Sequence, residues 1–221
     1  MKRIACIDTV YGVIDSFNKQ LREGIPGDFL IHTLYDDFLA TDAAPGQSGK
    51  FTAINHQRLR LDLQAQALTG ADVIVVTCST LSPSVRLLRG EFNVPIVAID
   101  DAMVNEAVAA GTKIGMLATA QSTVEPSASA IRAAAAAIGK EIDLKVVYNE
   151  QAILAFKAGD QATHDRLVLE MAQQLKDRDV IVLAQASTAY MEKPVQEYTG
   201  VRTLSSPERC IAQLRRILEE Q

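Results

Sequence analysis

The sequence predicts an α/β fold of two pseudosymmetric parallel-sheet halves, with the functional site in the cleft between them. Two observations lead to this prediction. Short, all-apolar runs alternate with helical patterns along the chain, and segments of the first half recur in the second. Apolar strands separated by helices are typical of parallel sheets that helices cover on both faces.

The individual elements follow from these patterns. The predicted strands are 3–7, 29–35, 73–77, 96–99, 113–118, 144–148, 180–184 and 201–204. The predicted helices are 12–22, 50–69, 83–90, 101–110, 123–138, 160–177 and 206–220. The segment 40–50 is rich in Pro, Gly and Ser, which indicates a loop; it is either a lid or a plain surface loop.

An internal repeat defines the two halves. The segment "DVIVVTCST" (72–80) recurs as "DVIVLAQAST" (179–188), so that Cys78 corresponds to Gln185. The first strand also recurs, since "RIACIDT" (3–9) aligns with "KIGMLAT" (113–119). We expect a first half at 1–100, a second at 101–205, and a last helix, 206–221, that packs back on the first half.

Composition excludes several classes of function. The net charge is −5 without a basic block, which argues against a nucleic-acid partner. No apolar run reaches about 18 residues, so no membrane span is expected. The N-terminus does not resemble a signal peptide, and the three cysteines form no disulfide or metal pattern. The three histidines lack metal-ligand spacing. We therefore expect a cytoplasmic protein with reduced thiols and no metal.

Polar residues cluster directly after the predicted strands. In an open parallel sheet these strand ends line the ligand crevice. The clustered residues are Asp8, Thr9, Cys78, Ser79, Thr80, Thr119, Ser122, Thr123, Gln185, Ala186 and Ser187. Hydroxyl groups and the N–H groups at helix starts suit a carboxylate or another small anion. No glycine-rich nucleotide motif is present, so a nucleotide site is not predicted.

Cys78 is interpreted either as a buried structural thiol or as a reactive one. The reactive interpretation is favoured because Cys78 follows the apolar run and precedes Ser79 and Thr80. Ser82 and Pro83 read as an N-cap and a first helical residue, and the helix dipole would favour a thiolate. By contrast, the apolar neighbours of Cys6 and the helical position of Cys210 indicate structural thiols.

Two carboxylates leave alternatives open. Asp8 ends the first strand without a neighbouring cation, and it could orient a substrate amino group, orient Cys78 or cap a turn. Glu150 follows a predicted strand, where starting a helix is the favoured interpretation.

The repeated segments resemble the aspartate/glutamate/hydantoin racemase superfamily, which includes maleate isomerase and arylmalonate decarboxylase. The resemblance spans most of the chain and is strongest in "GADVIVVTCST" (70–80), "KIGMLATAQSTVEPS" (113–127) and "DVIVLAQAST" (179–188). It implies two α/β halves with the site between them, an isomerase without cofactors, and a homo-oligomer. The implied substrate is a small carboxylate or carbonyl compound.

The resemblance also implies residue roles. In the family's racemases, one cysteine from each half serves one face of the substrate. Cys78 matches the first cysteine and Gln185 the second, and an amide is neither a useful base nor a thiol. The predicted function is therefore single-cysteine isomerase chemistry, with Asp8 as a further catalytic candidate. The alternatives are a one-thiol decarboxylase or lyase, and an inactive small-anion-binding protein.

Overall fold

The computed structural model describes residues 1–41 and 53–220, which form two compact units. The first comprises Met1–Asp101 and Pro207–Gln221, and the second comprises Ala102–Ser206. The predicted loop at 40–50 lies outside the described residues, apart from Ala40 and Thr41. None of the described helices has the length and apolar character required to cross a membrane.

Each predicted strand is present, with ends that shift by at most one residue. The strands are β1 (Lys2–Asp8), β2 (Phe29–Tyr35), β3 (Val73–Val76), β4 (Ile96–Ala98), β5 (Lys113–Ala118), β6 (Asp143–Tyr148), β7 (Val180–Leu183) and β8 (Arg202–Leu204).

The described helices include three that the sequence patterns did not predict. The helices are α1 (Tyr11–Gly24), α2 (Phe38–Thr41), α3 (Ala53–Ala67), α4 (Ser82–Leu88), α5 (Asp101–Ala110), α6 (Gln121–Ala137), α7 (Glu150–Lys157), α8 (Gln161–Gln173), α9 (Glu192–Thr199) and α10 (Ser206–Glu219). The unpredicted ones are α2, α7 and α9. They span only four to eight residues, too few for a helical period to show in the sequence.

The strands form two parallel sheets with the same order. The sheet of the first unit runs β2-β1-β3-β4, and that of the second runs β6-β5-β7-β8. Pairing is parallel throughout both sheets. The predicted fold class, two α/β halves each built on a parallel sheet, is confirmed.

The register of the central strands shows that the two sheets are equivalent residue by residue. Ile7 of β1 pairs with Val76 of β3, and Leu117 of β5 pairs with Leu183 of β7. These pairs correspond under the offsets of the internal repeat, 110 residues for the first strand and 107 for the second. Residues that follow the paired positions can therefore be compared between the halves.

Helices pack on both faces of the second sheet because its central strand is apolar on both sides. Val180 and Val182 of β7 share a buried cluster with α5 and α6. Ile181 and Leu183, which alternate with them, share another cluster with α8 and α9. This double burial explains why β7 reads as a continuous apolar run.

Helices also cover the first sheet on the face to which Ile74 and Val76 of β3 point. Ile74 and Val76 pack with residues of α3 and α4, including Leu63 and Val85. The helix α10 belongs to this unit and lies against α1, since a Cβ added at Gly24 would meet the Cγ2 of Ile211 at 2.5 Å. Glycine at position 24 permits this close helix approach.

The segment after β3 departs from the sequence prediction. Ser82 is not the N-cap of α4, because the helix already begins at Ser82 and the preceding Leu81 is the cap residue. A 3-10 turn, Ser79–Leu81, comes before the helix, and its Leu81 N–H donates to the carbonyl oxygen of Cys78 at 3.0 Å. The chain therefore starts to turn directly after Cys78.

Candidate functional site

The polar clusters lie at the switch point of each sheet. In the order β2-β1-β3-β4 the chain connections reverse direction between β1 and β3, and the crevice beyond the carboxyl ends there is where ligands bind in such sheets. Asp8 and Thr9 end β1, whereas Thr77 and Cys78 follow β3. The equivalent point of the second sheet lies between β5 and β7, where Thr119 and Gln185 stand.

In the first-half cluster, Asp8 is bound to Thr77 across the two strands. The Thr77 hydroxyl donates to Asp8 Oδ1 at 2.6 Å, and both residues are buried. The backbone pairing holds this contact in place, since the Thr77 N–H donates to the carbonyl oxygen of Ile7 at 3.1 Å. Asp8 Oδ2 is also buried but has no hydrogen-bond partner among the described residues. Its side chain therefore caps no turn and presents an unfilled acceptor.

Burial changes the acidity of this carboxyl group. Desolvation raises the pKa of Asp8 above its ordinary value, and the hydrogen bond from Thr77 lowers it in part. Thr9, the next residue, is buried too, and its hydroxyl has no partner within residues 1–41 and 53–220. Two neighbouring buried oxygens without partners indicate that this edge can bind a polar ligand.

Cys78 differs from the other two cysteines in its exposure. It is half-buried at the end of β3 and contacts the apolar cluster beneath α3 and α4. Cys6 and Cys210 are fully buried, and desolvation raises the pKa of each thiol. Since all three cysteines lie in the described residues, Cys78 is the one thiol that solvent or a ligand can reach. Ser79 is buried and Thr80 half-buried in the turn that follows.

In the second-half cluster, Gln185 is bound to Thr119. Its amide oxygen accepts the Thr119 N–H at 2.7 Å and the Thr119 hydroxyl at 3.2 Å. Thr119 is fully buried, and Gln185 is 9% exposed. The carbonyl oxygen of Gln185 accepts the N–H and hydroxyl of Thr188 at 3.1 and 2.7 Å, which starts a 3-10 turn over Ala186–Met191. This turn repeats the local structure after Cys78.

The remaining predicted site residues lie at the same edge of the second sheet. Ser122 and Thr123 stand in the first turn of α6, where Ser122 is half-buried and Thr123 is buried. Ala186 and Ser187 are half-buried at the start of the 3-10 turn. Glu150 is exposed in the first turn of α7, in line with the interpretation that it starts a helix.

Thr77 is a residue that sequence reasoning missed. The sequence placed it at the end of an apolar strand, whereas its hydroxyl is the hydrogen-bond partner of Asp8. The repeat contains a signal for this partnership. Asp8 corresponds to Ala118 and Thr77 corresponds to Ala184, and both alanines are buried. The carboxylate and its hydroxyl partner thus occur together in the first half and are replaced together in the second.

A partly buried ion-pair network that was also missed connects α4, the helix that follows Cys78, to two buried aspartates. Arg86 donates to Asp100 Oδ1 at 2.8 Å and to Asp101 Oδ1 at 2.9 Å, and Arg89 donates to Asp101 Oδ2 at 3.0 Å. Both aspartates are buried, and they lie between β4 and the first turn of α5. Desolvation raises the pKa of Asp100, and the charge of Arg86 opposes this shift. The network ties α4 to the strand next to β3.

The donor set of the clusters does not resemble a metal centre. Across residues 1–41 and 53–220, no group of three or more His, Cys, Asp or Glu side chains is arranged to hold a metal ion. The site chemistry consists of one reachable thiol, one buried carboxyl group, several hydroxyls and one amide.

Two equivalent parallel sheets with polar clusters at their switch points define a two-domain α/β enzyme fold. The family model for Asp/Glu/hydantoin racemases matches residues 9–214. The chain belongs to the Asp/Glu/hydantoin racemase family, and the predictions of this family and of the isomerase class are confirmed. A comparison with curated proteins finds no significant sequence match.

Solved structures of racemases share the fold. The allantoin racemase from Klebsiella pneumoniae is 17% identical, with a TM-score of 0.71 over 100% of this chain and 89% of that chain. Glutamate racemase RacE1 from Bacillus anthracis is 16% identical, with a TM-score of 0.72 over 99% and 82%. Glutamate racemase from Thermus thermophilus is 21% identical, with a TM-score of 0.70 over 99% and 81%. At these identities the likeness shows the fold alone.

Proposed function

We propose that the protein is a cofactor-independent isomerase that acts on a small carboxylate or carbonyl compound through the single thiol of Cys78. One observation supports this proposal most directly. Cys78 is the one reachable cysteine, and it follows the strand end where Thr77 holds the buried carboxyl group of Asp8. Reactive groups at the switch point of a parallel sheet are positioned for a ligand in its crevice.

The proposed step is a proton transfer at the carbon next to the substrate carbonyl group. The thiolate of Cys78 takes the proton, so that the C–H bond breaks, an S–H bond forms, and the electron pair moves onto the substrate oxygen as an enolate. Hydrogen-bond donors around that oxygen stabilise the charge. Asp8 Oδ2, the acceptor without a partner, can bind an amino or hydroxyl hydrogen of the substrate.

Gln185 sets the limit of this chemistry. Because an amide neither removes nor supplies a proton near neutral pH, the second half contributes no acid or base at the matched position. Proton removal and return by Cys78 alone gives exchange on one face of the carbon, and isomerisation occurs in the turnovers in which water delivers the proton to the opposite face of the enolate. A one-thiol lyase is the second candidate, and the same observation favours it. In decarboxylation the C–C bond breaks, carbon dioxide leaves with the electron pair remaining on the product, and the Cys78 thiol supplies one proton.

Hydrogen exchange in deuterium oxide tests the proposal. The candidate substrates are glutamate, aspartate and hydantoins, after the names of the family and of the solved relatives. We expect deuterium to enter at the reacting carbon faster than the carbon inverts. The Cys78→Ala variant should lose at least about a hundredfold in the exchange rate, the usual contribution of a positioned acid or base. Cys210→Ala is the matched control, because its thiol is fully buried.

Three outcomes would contradict the proposal. Inversion as fast as exchange would indicate two acid/base groups, and full exchange by Cys78→Ala would remove the thiol from the reaction. Binding of these acids without exchange or decarboxylation would favour the alternative of a small-anion-binding protein.

Several expectations from the sequence remain predictions. That the protein is a homo-oligomer follows from the resemblance, and that it is cytoplasmic follows from the composition. Contacts of Thr9, Ser79, Thr80, Thr119, Ser122, Thr123, Ala186 and Ser187 with the substrate are likewise part of this proposal.

A further inference from the structure

Carboxyl groups and an arginine meet where α3 packs against β2 in the first unit. Asp36 directly follows β2, and its side chain is buried. Its Oδ1 accepts the Phe38 N–H at 3.1 Å, and its Oδ2 accepts the Nε hydrogen of Arg58, which lies on α3. The charges of Asp37 and Asp62 also act on Arg58. Negative charge therefore exceeds positive charge around the ion pair that joins α3 to the strand end.

Asp62 places a second carboxyl group against that of Asp36. It follows Arg58 by four residues on α3, so the two side chains lie on the same face of the helix. The Asp62 side chain is hydrogen-bonded to Asp36, and its buried Oδ2 has no partner among residues 1–41 and 53–220. An ionised carboxylate can only accept, so two carboxyl groups in hydrogen-bond contact need a proton between them.

We propose that Asp36 and Asp62 share one proton and thereby form a pH-sensitive latch that holds α3 on the end of β2. With the proton present, the contact is a hydrogen bond from a carboxyl group to a carboxylate, one of the stronger kinds. When the proton leaves, two negative charges face each other, and the single charge of Arg58 can neutralise only one of them. The contact then becomes repulsive, and α3 is held less firmly.

The environment of Asp62 sets the pH at which the latch opens. Burial raises the pKa of Asp62 to about 7, and the hydrogen bond and the negative charge of Asp36 contribute to the rise. The charge of Arg58 opposes it. The proton is therefore lost near neutral pH and not in the acid range in which an exposed aspartate titrates.

The elements packed against α3 add few other charges. The strand β3 has no charged residue, and α2 has none either. The strand β1 ends in Asp8, whose carboxyl group is bound to Thr77. On α3 itself, His56 and Arg60 act on Glu91. The titration of the latch is thus governed by Asp36 and Arg58.

The latch lies beside the first-half cluster of the candidate site. The Asp36 N–H donates to the carbonyl oxygen of Asp8 at 2.9 Å, so the residue that holds α3 also continues the pairing of β1 with β2. A rise in pH through neutrality should therefore loosen a helix next to the strand end that carries Asp8. The latch does not depend on the proposed reaction, and it can be tested without a substrate.

Amide hydrogen exchange across pH tests the latch. Because the folded-state pKa of Asp62 lies above the ordinary 3.8, its stabilising effect is complete below that value and is lost as pH rises through about 7. After correction for the intrinsic pH dependence of exchange, the protection of the α3 amides should fall about tenfold between pH 6 and pH 8. The amides of α6, in the second unit, serve as the internal reference.

Three variants separate the shared proton from a merely structural contact. Asp62→Asn can donate to Asp36 at every pH, so the protection of α3 should no longer change between pH 6 and pH 8. Asp15→Asn makes the same change of charge at an exposed position of α1 and should leave the pH dependence in place. Asp36→Asn removes the neighbouring negative charge, so it should lower the pKa of Asp62. Carbon-13 NMR of the Asp62 carboxyl group, assigned through its backbone resonances, measures that pKa.

Any of three results would overturn the latch. The first is equal protection of α3 at pH 6 and pH 8 in the unaltered protein, and the second is a titration of Asp62 that Asp36→Asn does not move. The third is a loss of α3 protection in Asp62→Asn as large as in the unaltered protein. The first two decide the matter even if Asp62→Asn fails to fold.

Discussion

Replacement of Thr77 by valine should raise the pKa of Asp8 further. Valine has nearly the shape of threonine but no hydroxyl, so the 2.6 Å bond to Asp8 Oδ1 is lost while the packing remains. Both residues are buried, so solvent screening is small. A hydrogen bond to a charged group contributes about 1.5–3 kcal/mol. Loss of this bond removes that stabilisation from the ionised carboxylate, so the pKa of Asp8 rises.

The same change should make stability depend more strongly on pH. The pKa of Asp8 in the folded protein already lies above its ordinary value of 3.8 because of burial. A raised pKa favours the folded state at low pH, and this stability is lost as pH rises through the folded-state pKa. Thr77→Val should therefore match the unaltered protein in acid. Above both folded-state pKa values, it should be about 1.5–3 kcal/mol less stable.

Two measurements follow this change. Carbon-13 NMR of the aspartate carboxyl groups, with Asp8 assigned by Asp8→Asn, gives the titration, and urea unfolding across pH gives the free energy of unfolding. Thr203→Val is the control, because that buried hydroxyl donates to the carbonyl oxygen of Val201 and to no carboxylate. An unchanged titration of Asp8 in Thr77→Val, or a loss of stability equal at every pH, would refute the reasoning.

Three more predictions concern reactivity and the backbone. Iodoacetamide should label Cys78 alone in the folded protein, since Cys6 and Cys210 are fully buried; mass spectrometry of peptides would detect a second label. If the family arrangement applies, Gln185→Cys restores a thiol at the matched position, and chiral chromatography should show faster inversion than in the unaltered protein. Gly200 has a φ of 72°, so Gly200→Ala should lower the free energy of unfolding by about 1 kcal/mol, which thermal denaturation would measure.

The fold could be predicted where burial makes a segment apolar on both faces. The runs 73–77 and 180–184 match β3 and β7 to within one residue because a strand buried on both faces is apolar at every position. The helix α9 could not be predicted in this way. It spans eight residues and contains Pro194 near its start, so its sequence resembles a loop although Val195 is fully buried.

The sequence predicted those site residues that directly follow an apolar strand. Asp8, Cys78 and Gln185 all follow apolar runs, and a parallel sheet brings its strand ends to one edge. The partners of these residues could not be predicted, because they depend on which strands are neighbours. Thr77 lies 69 residues from Asp8 in the chain, and Thr119 lies 66 residues from Gln185. Only the pairing of the strands brings each pair together.

The two halves share one backbone framework but carry different side chains at the strand ends, as the proposed function requires. The backbone at Cys78 and at Gln185 is the same, since in each case the residue three positions later donates its N–H to the carbonyl oxygen. The side chains around it differ in a correlated way. In the first half, Asp8 and its partner Thr77 lie at the strand ends next to Cys78 in the sheet or in the chain, whereas the second half has Ala118 and Ala184 at the places of Asp8 and Thr77.

This correlation argues against a simple loss of one cysteine. A buried carboxylate is costly unless it is bound, so a half without acid/base chemistry gains stability by replacing it with alanine. The amide of Gln185 then needs no charged neighbour, because its oxygen already binds Thr119. Reintroducing a thiol at position 185 would thus restore an acid/base group without a neighbouring carboxylate. The rate of inversion in Gln185→Cys should consequently be low compared with the rate of hydrogen exchange at Cys78. The additional substitutions Ala118→Asp and Ala184→Thr should raise the rate of inversion. Inversion as fast in Gln185→Cys alone as in the triple variant would show that the carboxylate and its hydroxyl partner are not needed by the thiol.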